Sequence, residues 1–215
     1  MRVITKLNAK NIRHFLSKAR DKNCIFQSPE MLLSYCKTEG YRPLLFAALE
    51  DKEIIGLMTC YIQIRSKNII RRFTSNSVIW GSPIVLKGYS TGKVIDALLK
   101  KYIKTVSNKV LYTQIRNLYD VSKYCSTFNQ NGFSYKPHLN FLLSLENDEK
   151  KMWKKLNKKR RNTIRNSLKQ GVLIEELSNS DDIEIVFNIL SVVYSQKGLS
   201  LPSKTLFYNT YKYLS

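Results

Sequence analysis

Acidic residues are scarce in this chain of 215, where 16 Asp and Glu stand against 36 Lys and Arg. The resulting formal charge of +20 makes a polyanion the expected partner: tRNA, a phosphorylated lipid or nucleotide sugar, or an anionic membrane surface. Histidine is rarer still. His14 falls on the polar side of a predicted helix and His138 follows a proline in a predicted loop, so neither stands beside a nucleophile and no Ser/His/Asp or Cys/His triad is expected. Cys24, Cys36, Cys60 and Cys125 lie far apart, without the close Cys or His pairs of a metal site, and read as buried reduced thiols of a cytosolic protein. No apolar run approaches the length that spans a bilayer, and Met1 to Leu7 lacks the apolar stretch of a signal peptide. A cytoplasmic location follows as the expectation, with peripheral contact at the inner face of an anionic membrane compatible with the charge.

What the chain does have is one strongly basic stretch. Between Lys150 and Lys169 there are ten basic residues and no acidic one, which is half of the net charge. Glu146 to Gly171 reads as a single helix, with Asp148 and Glu149 in its first turn, Trp153, Leu156, Ile164 and Leu168 at helical spacing, and Gly171 as a left-handed stop. The segment from Lys150 to Lys169 cannot neutralise itself by Glu-to-Lys pairs four residues apart. Arg160 falls on the apolar stripe between Leu156 and Ile164, where a buried guanidinium needs a partner, either a bound anion or a core-edge carboxylate. With Lys159, Arg161, Arg165 and Lys169 it supplies donors for a diphosphate or a nucleic-acid backbone. An ordinary solvated charged face is the competing reading.

Taken in order, the chain alternates strands and helices. A strand at Arg2 to Leu7 leads through Asn8 into a helix with Ile12, Phe15, Leu16 and Ala19 on one face, and Ser28-Pro29 opens a second helix. The runs from Leu44 to Glu50 and from Glu53 to Ile64 flank Asp51-Lys52 as a hairpin. A third strand region, Ile69 to Val85, is interrupted by Trp80-Gly81-Ser82-Pro83, a bulge or splay where backbone can face a ligand. A helix from near Ser90, a strand from Val110 to Arg116, a helix capped by Asp120 and strands at Phe133–Tyr135 and Phe141–Ser144 follow. After the basic helix the pattern restarts: a strand over Val172 to Leu177, then helices led by Ser180 and by Leu201-Pro202-Ser203. We therefore expect a first domain over 1–147, a basic connecting helix over 148–171, and over 172–215 the strand-helix-helix opening of a second domain, which stops before any sheet.

This order resembles the GNAT acyltransferase fold, an α/β (α+β) class with a mixed central sheet flanked by helices; Asp51 to Gly56 resembles that family's hairpin turn, and Asn131-Gly-Phe133 the end of its fourth helix. Two such domains, one incomplete here, joined by an Arg-rich helix resemble the Fem-type peptidoglycan interpeptide-bridge aminoacyltransferases. The likeness runs from Phe26-Gln-Ser-Pro29 through Trp80 to Pro83 and is densest at Leu143-Ser-Leu145, Trp153 to Leu156, Arg160 to Arg165, Lys169 to Val172, Lys197-Gly198 and Pro202. The resemblance implies transfer of an aminoacyl group from charged tRNA to an amine of a phosphorylated cell-wall precursor, without a metal and with no permanently bound cofactor. It places Arg165 and Lys169 among the family's basic residues, and Lys37 at a basic position of the second helix.

The sequence departs from that pattern in two ways. The family's tyrosine in the second helix of its second domain has no counterpart in register, since Phe207 and Tyr208 are displaced, and the body of that domain is not in these residues. Two rivals follow. One is a GNAT N-acetyltransferase using acetyl-CoA on an envelope sugar or amine, although Lys87 to Lys93 lacks the glycine spacing of a CoA-pyrophosphate loop and of a P-loop. The other is a module that binds polyanions without turnover. No residue stands out as a general base, and the catalytic residues stay unassigned.

Overall fold

The computed structural model describes residues 1–19, 24–65, 71–138, 144–145 and 148–214. These form two compact units, residues 1–135 with 183–215, and residues 136–182.

The first unit is built on a hairpin. β2 (Tyr41–Glu50) and β3 (Glu53–Gln63) are joined by Asp51 and Lys52, both in the left-handed region at φ 46° and 69°. Two such residues match the right-handed twist of the strands they connect, and the long apolar ladders on either side hold them there. β1 (Arg2–Ile4) pairs antiparallel with β2. On the other side β4 (Asn76–Trp80) runs antiparallel to β3, β6 (Tyr112–Arg116) lies parallel to β4, and β5 (Ile84–Val85) pairs with β3. The sheet order is thus β1-β2-β3-β4-β6 with β5 beside β3.

Strand alternation divides the core between two faces. Leu45, Ala47, Leu57 and Ile84 pack with Ile12, Phe15 and Leu16 of α1 (Ala9–Lys18), whose start is capped by Asn8 accepting from the Asn11 amide at 2.8 Å. Phe46, Ala48, Met58, Cys60 and Ile62 pack with Val94, Ile95, Leu98, Leu99 and Tyr102 of α4 (Thr91–Val106), the crossover helix between the parallel strands. Helix and hairpin meet so closely that a β-carbon on Gly56 would lie 2.5 Å from Val94 Cγ1. A short helix, α3 (Arg71–Thr74), precedes β4, and α5 (Cys125–Gln130) follows a 3-10 turn at Ser122–Tyr124. α2 (Pro29–Lys37) begins with Ser28 accepting from the Met31 amide and Pro29 in the first turn. Alongside it lies α9 (Lys204–Leu214), with Asn209 Nδ2 donating to Thr38 Oγ1 at 2.9 Å and the Ser34 and Thr210 hydroxyls 3.2 Å apart. α8 (Asp182–Gln196) joins the same unit through Phe187, whose ring meets Phe207 of α9 edge-on at 5.6 Å.

The second unit holds α6 (Glu149–Lys155) and α7 (Lys158–Lys169). One helix is expected over the basic stretch; there are two. Leu156 is extended and the Asn157 side chain accepts from the Arg160 amide at 2.8 Å, so a new helix starts where a side-chain acceptor competes with continued helix. Expected strands also differ. Residues 172–177 and 133–135 form no ladder, because a strand needs a neighbour to take its backbone hydrogen bonds and none among the described residues does so. The expected strand at Phe141 to Ser144 lies almost wholly outside the described residues, as does the beginning of the one at Ile69, where β4 starts only at Asn76.

Candidate active site

β4 and β6 are the parallel pair of this sheet, and α4 connects them. In sheets of this kind ligands bind beyond the carboxyl ends of parallel strands, where the chain leaves the ladder. Here those ends are Trp80 and Arg116.

The departure after Trp80 is forced by register. Between the pairs Tyr61 with Val78 and Leu57 with Ile84, β3 has three residues and the opposing chain has five. Two residues must leave the ladder. Gly81 and Ser82 take left-handed conformations at φ 84° and 62°, and the Gly81 amide donates across to Arg116 O at 2.9 Å. Gln27, fully buried in a 3-10 turn at Ile25–Gln27, fixes the bulge from the other side: its Nε2 donates to Ser82 O at 2.9 Å and to Trp80 O at 3.3 Å. A β-carbon on Gly81 would lie 2.8 Å from Cys24 Sγ. The Tyr119 hydroxyl donates to Pro83 O at 3.3 Å.

The surrounding side chains set the chemistry. Trp80 stacks on Phe26 at 4.7 Å, and the Arg116 guanidinium lies 4.8 Å from its ring centre. Burial pushes the Tyr119 hydroxyl up to about 12, opposed by the nearby Ser82 hydroxyl, so at neutral pH it is a proton donor. Burial likewise raises the Cys24 thiol, which keeps it protonated and a poor nucleophile. Among the described residues, the buried acceptors Gln27 Oε1 and Asn117 Oδ1 near the bulge have no hydrogen-bond partner. A buried acceptor left without a partner is costly, and an N–H donor is what satisfies it. None of the side chains named here is a carboxylate or a histidine. Among the described residues there is no group of three or more His, Cys, Asp or Glu arranged to hold a metal ion.

The basic residues expected to bind phosphate are placed as follows. Lys159, Arg160, Arg165 and Lys169 are exposed on α7. Arg160 is not the buried member of the apolar stripe; the half-buried guanidinium is that of Arg161, whose Nη1 donates to Leu156 O at 2.7 Å and Lys154 O at 3.3 Å and so satisfies carbonyls at the end of α6. The helix break shifts the register by which Arg160 followed Leu156. Arg165 lies 5.4 Å from the centre of the Trp153 ring. Lys37 is exposed in the last turn of α2, in the other unit. Gln27, Asn117 and Tyr119 were not singled out by sequence. The available signal was position: Asn117 immediately follows a strand predicted to end at Arg116.

No protein-family profile matches the sequence, and no curated protein does. Solved structures do. A crystal structure of FemX is similar over 99% of this chain and 54% of its own, with a TM-score of 0.61 and 15% identity. The chain thus spans about half the length of that protein. The aminoglycoside N-acetyltransferase AAC(6')-Iy, solved in complex with CoA, covers 66% of this chain at 14% identity and a TM-score of 0.46, and an acetyltransferase of Trypanosoma brucei covers 66% at 13% and 0.46. The chain has a mixed α/β fold of the GNAT acyltransferase type.

Proposed function

We propose that this chain serves acyl transfer of the Fem type, from charged tRNA to an amine of a phosphorylated cell-wall precursor. The observation that carries the reading is the extent of the FemX likeness, which continues past the sheet through the basic helices and α8–α9 to 99% of the chain. Because the chain spans 54% of that protein, the activity proposed is that of the whole protein.

In the reaction the free amine attacks the aminoacyl ester carbonyl, a C–N bond forms, the C–O bond to the tRNA ribose breaks, and the amine proton leaves as the ribose oxygen gains one. The bulge offers groups suited to this. Gln27 Oε1 and Asn117 Oδ1 are buried acceptors without a partner among the described residues, suited to an N–H donor, and the Tyr119 hydroxyl, which stays protonated at neutral pH, donates to Pro83 O within the bulge. The basic face of α7, with Lys159, Arg160, Arg165 and Lys169, suits a phosphate backbone or diphosphate, and holding two large anionic substrates in place accounts for much of the rate in such a reaction.

Retention of tRNA carrying a labelled amino acid, measured beside labelled acetyl-CoA at rising salt, tests the reading. Retained aminoacyl-tRNA, no acetyl-CoA binding and label moved to a precursor amine are expected. Tight acetyl-CoA binding, with tRNA lost at modest salt, would overturn it in favour of an acetyltransferase.

A further inference from the structure

The parallel pair β4 and β6 has a second end. Opposite the bulge, where both strands begin, Arg65, Phe73, Asn76, Leu111 and Tyr112 line a cleft of about 340 Å³. Ligand clefts run from roughly 300 to 1,000 Å³, so this one admits a single small planar group and no folded element.

Register builds the cleft's floor. Gln63, Asn76 and Tyr112 are direct partners across β3, β4 and β6, which puts their side chains on one face of the sheet. Asn76 is only 5% exposed, and among the described residues its Oδ1 has no hydrogen-bond partner. The Gln63 Nε2 beside it donates to the Tyr41 hydroxyl at 3.4 Å instead. A buried acceptor in this state is satisfied by an entering N–H.

The rim combines rings with positive charge. Phe73 and Tyr112 are 65% and 47% exposed, with Leu111 between the cleft and solvent at 61%. Arg65 is exposed in the same cleft and Arg72 is exposed immediately before Phe73, and neither has a carboxylate partner among the described residues. An apolar partner would leave those guanidinium groups uncompensated. Exposed rings for a flat face, an acceptor for an N–H edge and arginines for an anion are together the complement of one nucleotide.

We infer that the amino-terminal end of the β4 and β6 pair docks an unpaired nucleotide of single-stranded nucleic acid. Its base lies against Phe73 and Tyr112 with an N–H edge toward Asn76, and its phosphate meets Arg65. A base inside a duplex has its edge paired and its faces covered, so the cleft selects single strands. The inference stands apart from the acyl-transfer reading, since none of these residues belongs to the bulge.

Fluorescence anisotropy with a labelled oligoadenylate of about ten nucleotides, beside a duplex of equal length, tests this at about 0.3 M salt, where contacts to phosphate alone are weakened. The single strand should bind at least about tenfold more tightly than the duplex. Phe73→Ala and Tyr112→Ala should each weaken the single strand about tenfold, the size of one lost base stack, and leave duplex binding and circular dichroism unchanged. Tyr112→Phe keeps the ring and should keep the affinity. Arg65→Gln provides a further disruption should a ring variant fold poorly. Equal binding of strand and duplex, or strand binding that none of these substitutions weakens, overturns the inference. So does competition by AMP as effective as by the oligonucleotide, which would assign a free nucleotide, or sedimentation with phosphatidylglycerol vesicles that Phe73→Ala abolishes, which would assign the rings to a membrane.

Discussion

Gly81 is where one β-carbon would do most damage. Its φ of 84° disfavours any side chain, and Cys24 Sγ occupies the space an alanine needs. Gly81→Ala should therefore cost about 1–3 kcal/mol in urea unfolding. Adding Cys24→Ala should recover the steric part but not the conformational part, so the two changes will not be additive. Titrating residues give a second expectation. Burial pushes the Cys60 thiol up to about 12 from an ordinary 9.0, and Tyr119 up to about 12 from 10.0. Groups raised in this way contribute stability below their unfolded values and lose it as pH climbs through their folded ones. The melting temperature should fall from about pH 9 upward, and Cys60→Ala should flatten the start of that decline even though it lowers the melting temperature itself. Glu53 has the opposite sign. Hydrogen bonds from Lys18 and Tyr89 hold its carboxyl below the usual range, so its contribution is present at neutral pH and lost on acidification, and Glu53→Gln should reduce the acid-side loss.

At the scale of elements, α7 separates structural from free cations. Arg161 closes the end of α6 through two carbonyls, whereas Lys159, Arg160 and Lys169 are exposed. Arg161→Ala should lower thermal stability, and Asn157→Ala should cost about 1 kcal/mol by removing the cap. Lys159→Ala with Arg160→Ala should leave the melt unchanged and weaken polyanion binding. The basic stretch and its helical character were legible from spacing alone. The break was not, because Asn157 is acceptable within a helix and only its contact with the Arg160 amide makes it a start. The hairpin was legible for the converse reason: two apolar runs around a two-residue charged turn have few other ways to pair.

For the whole molecule, the net charge of +20 predicts that any polyanion affinity falls steeply with salt. Distribution decides whether that binding is specific. If α7 is the phosphate-binding face, the Lys159→Ala and Arg160→Ala pair should reduce the salt slope more than Lys6→Ala with Lys10→Ala, as read from tRNA retention between low and moderate salt. Equal reductions would show that total charge alone governs the interaction.

The mixed sheet flanked by helices was what the resemblance to the GNAT fold implied. Periodicity, charge and turn chemistry by themselves determined the order of strands and helices, the hairpin at Asp51-Lys52, a basic helical stretch and a break at Trp80 to Pro83. These are local consequences of which residues follow which. Only the tertiary structure decided that Gln27 closes on that bulge from 53 residues before Trp80 and that Arg116 O receives the Gly81 amide. The same holds for the strand-like residues 172–177, which form no ladder among the described residues, and for Ile185, Ile189 and Val192 of α8, which are exposed. Partners distant in sequence settle such matters, and local pattern does not name the partner.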